Sequence, residues 1–76
     1  MTIAERIDVL RKTIKNGQGM TLTEVATHPT VLCDVSSVQR VCSRRRWHLK
    51  HFMAATGRCE FVLVNPNTLK AHASKN

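Results

Sequence analysis

The segment that decides the fold of this chain is DVSSVQRVCSRR, which spans residues 34–45. Asp34 is a favoured helix N-cap residue. Val38, Val41 and Cys42 then fall on one side of the helix that follows. The other side carries short polar and basic side chains, namely Ser36, Ser37, Gln39, Arg40, Ser43 and Arg44. We therefore predict an amphipathic helix over residues 34–45 with a polar, basic exposed face.

This polar face suits the major groove of double-stranded DNA. Short side chains let a helix approach the base pairs closely, and Gln and Arg side chains can each form two hydrogen bonds to adenine and guanine edges. Gln39 and Arg40 are therefore the predicted base readers. Contact with phosphates, which positions a protein without reading sequence, is an alternative for both.

After this helix the pattern changes from a helical period to the alternation of a β-strand. Residues 47–53 alternate between two sides, and residues 59–64 read CEFVLV, a run rich in strand-forming residues. Residues 54–58 separate the two runs, and Gly57 supplies the positive φ that a hairpin turn of this length commonly needs. We predict a β-hairpin with a basic tip.

The aromatic residues near this hairpin are Trp47, Phe52 and Phe61. Aromatic residues make up only 4% of the chain, and they are not clustered like the stacking face of an RNA-binding sheet. We expect all three to be core residues rather than platforms for stacking bases.

Two helix start signals lie upstream. Thr2 with Glu5, and Thr21 with Glu24, are capping boxes, in which the two side chains satisfy exposed backbone amides from both sides. The first predicted helix ends by Gly17, and the second is short. The apolar face of the first helix consists of Ile3, Ile7, Leu10 and Ile14.

The chain is one domain, because 76 residues are too few to bury two separate cores. We place this domain at residues 1–65. The NPN sequence at residues 65–67 starts a polar segment, and residues 66–76 are predicted to be a flexible tail. Between the first two helices, Met20 indicates at most a very short strand.

The charge of the chain is positive and concentrated. Twelve Lys and Arg residues stand against five Asp and Glu residues, which gives a net charge of +7 and an isoelectric point of about 10.2. The basic density peaks in residues 40–51, which hold Arg40, Arg44, Arg45, Arg46 and Lys50. Such a cluster predicts a polyanionic partner, with nucleic acid as the first candidate.

Composition also bounds the function. With 42% hydrophobic residues the chain is too apolar for a disordered tail, and no apolar run approaches the roughly 18 residues of a membrane span. A core of this size leaves little room for an active-site cleft, so we predict no enzymatic activity.

Cysteine and histidine spacings predict neither disulfides nor a cofactor site. Cys33, Cys42 and Cys59 match no disulfide framework, which indicates free thiols in a reducing, cytoplasmic compartment, acting as small core residues. With the histidines they form no CxxC or HxxxH pair, so we predict neither a metal ion nor another cofactor.

The order of these elements resembles the winged helix-turn-helix proteins of bacterial and phage transcription regulation. The resemblance rests on TLTEVA at residues 21–26, SVQR at residues 37–40, and the Gly57-Arg58 tip of the hairpin. It implies a small α+β fold of three helices followed by a two-stranded β-hairpin wing. It also places the third helix in the major groove and the wing along a minor groove or the phosphate backbone.

DNA-contacting residues are accordingly expected on the third helix, just after it, and at the wing tip. They are Ser36, Ser37, Gln39, Arg40, Ser43, Arg44, Arg46, Lys50, Thr56, Gly57 and Arg58.

The sequence therefore predicts a sequence-specific double-stranded DNA-binding protein. Its expected role is that of a small transcription regulator, encoded by a phage or mobile element and located in the host cytoplasm. One alternative is a small phage-type interaction protein that binds and inhibits a host protein, and another is the binding of structured RNA. A homodimer formed through the first helix or the tail is also open.

Overall fold

The fold is seen in a computed structural model that describes residues 1–74. In chain order the elements are helix α1 (Ile3–Arg11), strand β1 (Gly19–Thr21), helices α2 (Leu22–Thr27) and α3 (Val35–Arg45), strands β2 (His48–Met53) and β3 (Arg58–Val64), and helix α4 (Pro66–Ser74). The expected α+β class is confirmed. Within the described residues, however, there are four helices and three strands rather than three helices and a two-stranded hairpin.

Capping boxes set where α1 and α2 begin. Thr2 Oγ1 accepts a hydrogen bond from the Glu5 amide, and Thr21 Oγ1 accepts one from the Glu24 amide, both at 3.2 Å. Each glutamate carboxylate accepts in return from the backbone amide of its threonine. Both predicted helix starts are therefore confirmed, and both depend on partners three residues apart.

Helix α3 also begins and ends where the sequence predicts. The Asp34 carboxylate accepts from the Ser37 hydroxyl at 2.8 Å and from the Ser37 amide at 3.0 Å. These hydrogen bonds lower the pKa of the Asp34 carboxyl. At the other end, Arg46 turns the chain with a left-handed φ of 55°, and the Trp47 amide donates to the Cys42 carbonyl at 3.1 Å.

The three strands form one antiparallel sheet in the order β1, β3, β2. On one edge of β3, Gly19 pairs with Val64. On the other edge, Leu49 pairs with Val62 and Met53 pairs with Arg58. The last strand of the chain is therefore the central strand of the sheet.

The core lies between the helices and one face of this sheet. Ile7, Val38 and Leu63 are fully buried and belong to one hydrophobic cluster, against which Trp47 packs partly buried. The core position predicted for Trp47 is confirmed. The core positions predicted for Phe52 and Phe61 are wrong, since these side chains are 60% and 46% exposed.

The connection between α2 and α3 is anchored to the core. Val31 is fully buried, its amide donates to the His28 carbonyl at 2.9 Å, and its carbonyl accepts from Arg6 Nη1 at 3.4 Å. The Cys33 amide donates to the Ala26 carbonyl at 3.1 Å. This connection is thus held at both ends and fixes α3 relative to α1 and α2.

Helix α4 occupies residues 66–74, within the segment predicted to be a flexible tail; the last two residues of that segment lie outside the described residues. Asn65 Nδ2 donates to the Ile14 carbonyl at 2.8 Å, and Asn65 Oδ1 accepts from the Asn67 amide at 2.8 Å. Thr68 Oγ1 accepts from the Gly17 amide at 3.2 Å. These bonds attach the start of α4 to the loop after α1, across the sheet face opposite the core, where a cleft of about 280 Å³ remains.

The three cysteines are free thiols in three different environments. Cys42 is buried in the core and Cys33 packs partly buried against it. Cys59 is exposed on β3, so the prediction that it fills the core is wrong. Burial raises the pKa of the Cys42 thiol from 9.0 to about 11.

Gly19 should be sensitive to substitution. A Cβ atom at this position would lie 2.8 Å from Val62 Cγ2 and 3.3 Å from the Leu63 carbonyl oxygen, so β1 could not keep its place beside β3. We expect Gly19→Ala to lower the free energy of unfolding by about 1–3 kcal/mol, measured by urea denaturation. Gln18→Ala, at an exposed neighbouring position, is the control. Equal stability of the two variants would contradict the close packing of β1 on β3.

Thiol alkylation should separate the cysteines. We expect iodoacetamide at pH 8 to modify exposed Cys59 first, whereas Cys42 should react only with unfolding, because it is buried and keeps its proton. Mass spectrometry of peptides after timed labelling checks the order in which the cysteines react. Rapid modification of Cys42 in the folded protein would disprove it.

The pKa of the Cys42 thiol is higher in the folded protein than in the unfolded chain. The contribution of this thiol to the free energy of unfolding is therefore retained below pH 9 and falls as the pH rises from 9 towards about 11.

Candidate nucleic-acid interface

The exposed face of α3 carries four of the predicted contact residues side by side. With about 100° of rotation per residue, Ser36, Gln39, Arg40 and Ser43 fall within about 100° of the helix circumference, and all four are exposed. The buried residues Val38 and Cys42 occupy the opposite side. The face predicted from the sequence thus forms one continuous polar and basic stripe, which we call the α3 stripe.

Ser37 and Arg44 lie at the margin of this stripe. The Ser37 hydroxyl already donates to Asp34, as described above, and its side chain is only half-exposed. Arg44 is exposed. The capping bond occupies the only proton that Ser37 could donate to a ligand, so its groove-facing role has less structural support than that of Ser36.

The run of three arginines at the end of α3 divides according to what each one contacts. The Arg45 guanidinium lies over the Trp47 ring, 5.4 Å from its centroid, and the Arg11 guanidinium lies over the same ring at 4.2 Å. All three arginines are exposed, but only Arg45 has a ring contact, which places its guanidinium over an aromatic side chain on the same side of the helix as Cys42.

The β2–β3 hairpin carries the remaining predicted residues, and all of them are exposed: Lys50, Thr56, Gly57 and Arg58. The turn is closed by the Met53 carbonyl, which accepts from the Gly57 amide at 2.8 Å and from the Thr56 amide at 3.2 Å. Gly57 has a φ of 67°, as the predicted turn requires. The Thr56 hydroxyl also donates to Met53, at 3.4 Å.

The structure does not bring all of the hairpin bases to one face. Lys50 is directly opposite Phe61 in the register, whereas Arg58 is opposite Met53. Residues paired between neighbouring strands have side chains on the same face of the sheet, and successive residues of one strand alternate between faces. Phe61 and Arg58 are three residues apart on β3, so Lys50, which pairs with Phe61, lies on the face opposite that of Arg58. Lys50 is on the face that leads to the core residue Leu63.

Four of the five acidic residues are engaged elsewhere. Glu5, Glu24 and Asp34 accept hydrogen bonds at the starts of three helices, and Asp8 pairs with Arg11 and Lys12 at the end of α1, at 2.8 and 3.0 Å. The fifth, Glu60, lies on the hairpin face opposite that of Lys50, which is the face of Arg58. Within residues 1–74, no ion pair with an acid includes Arg40, Arg44, Arg46, Lys50 or Arg58. Within the described residues these bases of α3 and the hairpin therefore take part in no ion pair, although the charge of Arg40 adds to the hydrogen bonds from Ser37 in lowering the pKa of the Asp34 carboxyl.

Sequence reasoning missed Phe52 and Phe61 as surface residues. The signal was present in the alternation of β2, which places Phe52 on the same side as His48 and Lys50. Because His48 and Lys50 are polar, the strand face that they share with Phe52 is not expected to be fully buried. The ring of Phe61 meets the His48 ring at 4.7 Å and 81°, in an edge-to-face arrangement.

Comparison of the chain with protein-family models, with curated proteins and with solved structures finds no match. Across residues 1–74, none of the helices combines the length and the apolar character needed to cross a membrane. Over the same part of the chain, no three His, Cys, Asp or Glu side chains come together in a group that could hold a metal ion.

Proposed function

We propose that this chain is a winged helix-turn-helix protein that binds double-stranded DNA, with α3 in the major groove and the β2–β3 hairpin as the wing. The observation that carries this proposal is the α3 stripe, which is polar, basic and exposed, and which takes part in no ion pair within the described residues. A stripe of this kind complements a polyanion whose base edges are hydrogen-bonding groups.

The arrangement of α2 and α3 supports this proposal. The connection between the two helices is anchored to the core by the hydrogen bond from Arg6 to Val31. The inner side of α3 packs in the core that it shares with α1 and α2, and its outer side faces away from that core. In helix-turn-helix proteins the second helix of such a pair enters the major groove while the first crosses the backbone. Here α3 is that second helix.

The side chains divide into two proposed roles. Gln39 and Arg40, midway along the length of the α3 stripe, read base edges, and Ser36 and Ser43 permit close approach. The bases at its margin and on the hairpin bind phosphates and set the register of the protein on the duplex. These are Arg44, Arg46 and, on opposite faces of the hairpin, Lys50 and Arg58. Binding of this kind at an operator is the basis for the proposed role in transcription regulation.

Removal of two α3 bases should weaken duplex binding and its dependence on salt. We expect Arg40→Ala with Arg44→Ala to reduce affinity about 10- to 100-fold and to make the salt slope shallower by about 0.9 for each phosphate that the variant no longer neutralises. A mobility-shift titration at two salt concentrations measures both. Lys15→Ala, which removes an exposed base outside the proposed interface, is the matched control.

Two outcomes would contradict the proposal. One is the absence of any shift of duplex DNA by the unaltered protein at low salt, which would favour the alternative of a protein partner. The other is a loss of binding free energy in the Lys15→Ala control that equals the loss per removed charge in the double variant, which would mean that net charge alone attracts DNA. Preference for duplex RNA in competition would redirect the proposal to structured RNA.

Arg46 offers a substitution that separates binding from folding. Its left-handed φ of 55° costs an L-residue about 1–2 kcal/mol, and glycine takes this conformation without that cost. We expect Arg46→Gly to keep or raise the midpoint of thermal unfolding while making the salt slope of DNA binding shallower by about 0.9.

Arg46→Lys is the matched control, since lysine keeps both the charge and the strained conformation. It should keep the salt slope of the unaltered protein. An unchanged slope in Arg46→Gly would remove Arg46 from the proposed interface, whatever its effect on stability.

A further inference from the structure

The wing has an exposed aromatic face. Phe52 is 60% exposed and Phe61 is 46% exposed. In the register, Phe61 is directly opposite Lys50 and Phe52 is directly opposite Cys59, so these four side chains share one face of the hairpin. We call this surface the wing aromatic face.

This face is the continuation of the core side of the sheet. Leu63 is fully buried in the helical core and is two residues from Phe61 on the same strand, so both side chains point to the same side. From Leu63 to Phe61 and then to Cys59, the side chains pass from fully buried to exposed. The hairpin therefore extends beyond the core and carries its inner face into solvent.

The rings are held on a rigid support. Both belong to paired strands, and the Phe61 ring is also fixed edge-to-face against the half-buried His48 ring, with centroids 4.7 Å apart. A ring fixed in this way loses little conformational entropy when a second flat group stacks on it. The wing aromatic face is therefore prepared for a planar apolar group.

The charge around the face selects the kind of partner. Lys50 lies on this face, the exposed Arg46 precedes β2, and Glu60 points to the other side of the hairpin. A second copy of this chain would bring a further charge of +7 to the contact. Aromatic rings beside cations instead match nucleotides, which present a flat base next to a phosphate.

We propose that Phe52 and Phe61 form a stacking site for unstacked bases of DNA. The inference rests on the proposed function, and it adds a second mode of contact to the α3 stripe. Apolar side chains inserted at a base step partly unstack it and kink the duplex. Mismatched bases are the least costly to unstack, so the site favours DNA that contains them.

The test compares two probes of one sequence, a fully paired duplex and the same duplex with a central two-base mismatch. Fluorescence anisotropy measures the affinity of the unaltered protein and of the Phe52→Leu, Phe61→Leu double variant. Leucine keeps the apolar character and removes the flat ring. We expect the unaltered protein to bind the mismatched probe at least about fivefold more tightly, and the double variant to lose this preference while keeping its affinity for the paired duplex.

Two further variants protect the interpretation. Val9→Ala changes an exposed apolar residue on α1, 46% exposed, and should keep the preference. Phe52→Trp keeps a flat ring, should also keep the preference, and should show quenched tryptophan emission on the mismatched probe beyond any change at Trp47 in the unaltered protein. Far-ultraviolet circular dichroism verifies that each variant is folded.

The outcomes are distinguishable. Equal preference in the unaltered protein and the double leucine variant would overturn the stacking site and leave the proposed function intact. Failure of the unaltered protein to bind either probe would overturn both. A dimer in sedimentation that the double variant converts to a monomer would show that the face contacts a second copy of the chain, which also overturns the stacking site.

Discussion

The structure depends on the position of β3 between the other two strands. On one edge it pairs with β1, which leads directly into α2, and on the other it pairs with β2, which follows α3. Both ends of the α2–α3 unit are therefore hydrogen-bonded to one strand. Leu63, the second-last residue of that strand, is buried in the core that the helices share. This arrangement fixes α3 and the hairpin relative to each other. The proposed DNA-binding surface requires such a fixed arrangement, because both elements contribute residues to it.

The distribution of charge follows from the same local rules that start the helices. Three of the five acids are placed at helix starts, where they accept hydrogen bonds from backbone amides, and Asp8 is paired with Arg11 and Lys12 at the end of α1. The bases of α3 and the hairpin consequently form no ion pair among the described residues. The same placement of acidic residues thus caps the helices and leaves positive potential at the proposed interface.

Some parts of the site were accessible to sequence reasoning and others were not. The α3 stripe was predictable because its residues are related by helical geometry alone, and Asp34 marks its start. The packing of Arg45 on Trp47 depends on how the chain leaves the helix at Arg46, which adjacent residues do not specify. The alternation of β2 indicated a partly polar face for Phe52, but how exposed Phe52 and Phe61 are depends on how far the hairpin extends past the core, and thus on the lengths of elements distant in the chain.

The sequence by itself determined the starts of the three capped helices, the hairpin and its turn, because each is specified by partners a few residues apart or by a regular period. The end of α1 was not determined in this way, since the helix stops at Arg11 rather than at the expected Gly17. The Asn65-Pro66 start of α4 is of the same local kind, since an N-cap residue followed by proline is a common helix start. The sequence indicated a very short strand at Met20, but only the tertiary structure decided which strand it pairs with, that β3 is central, and which hairpin side faces the core. Gly19 and Val64 are far apart in the chain, and a three-residue strand does not specify its partner.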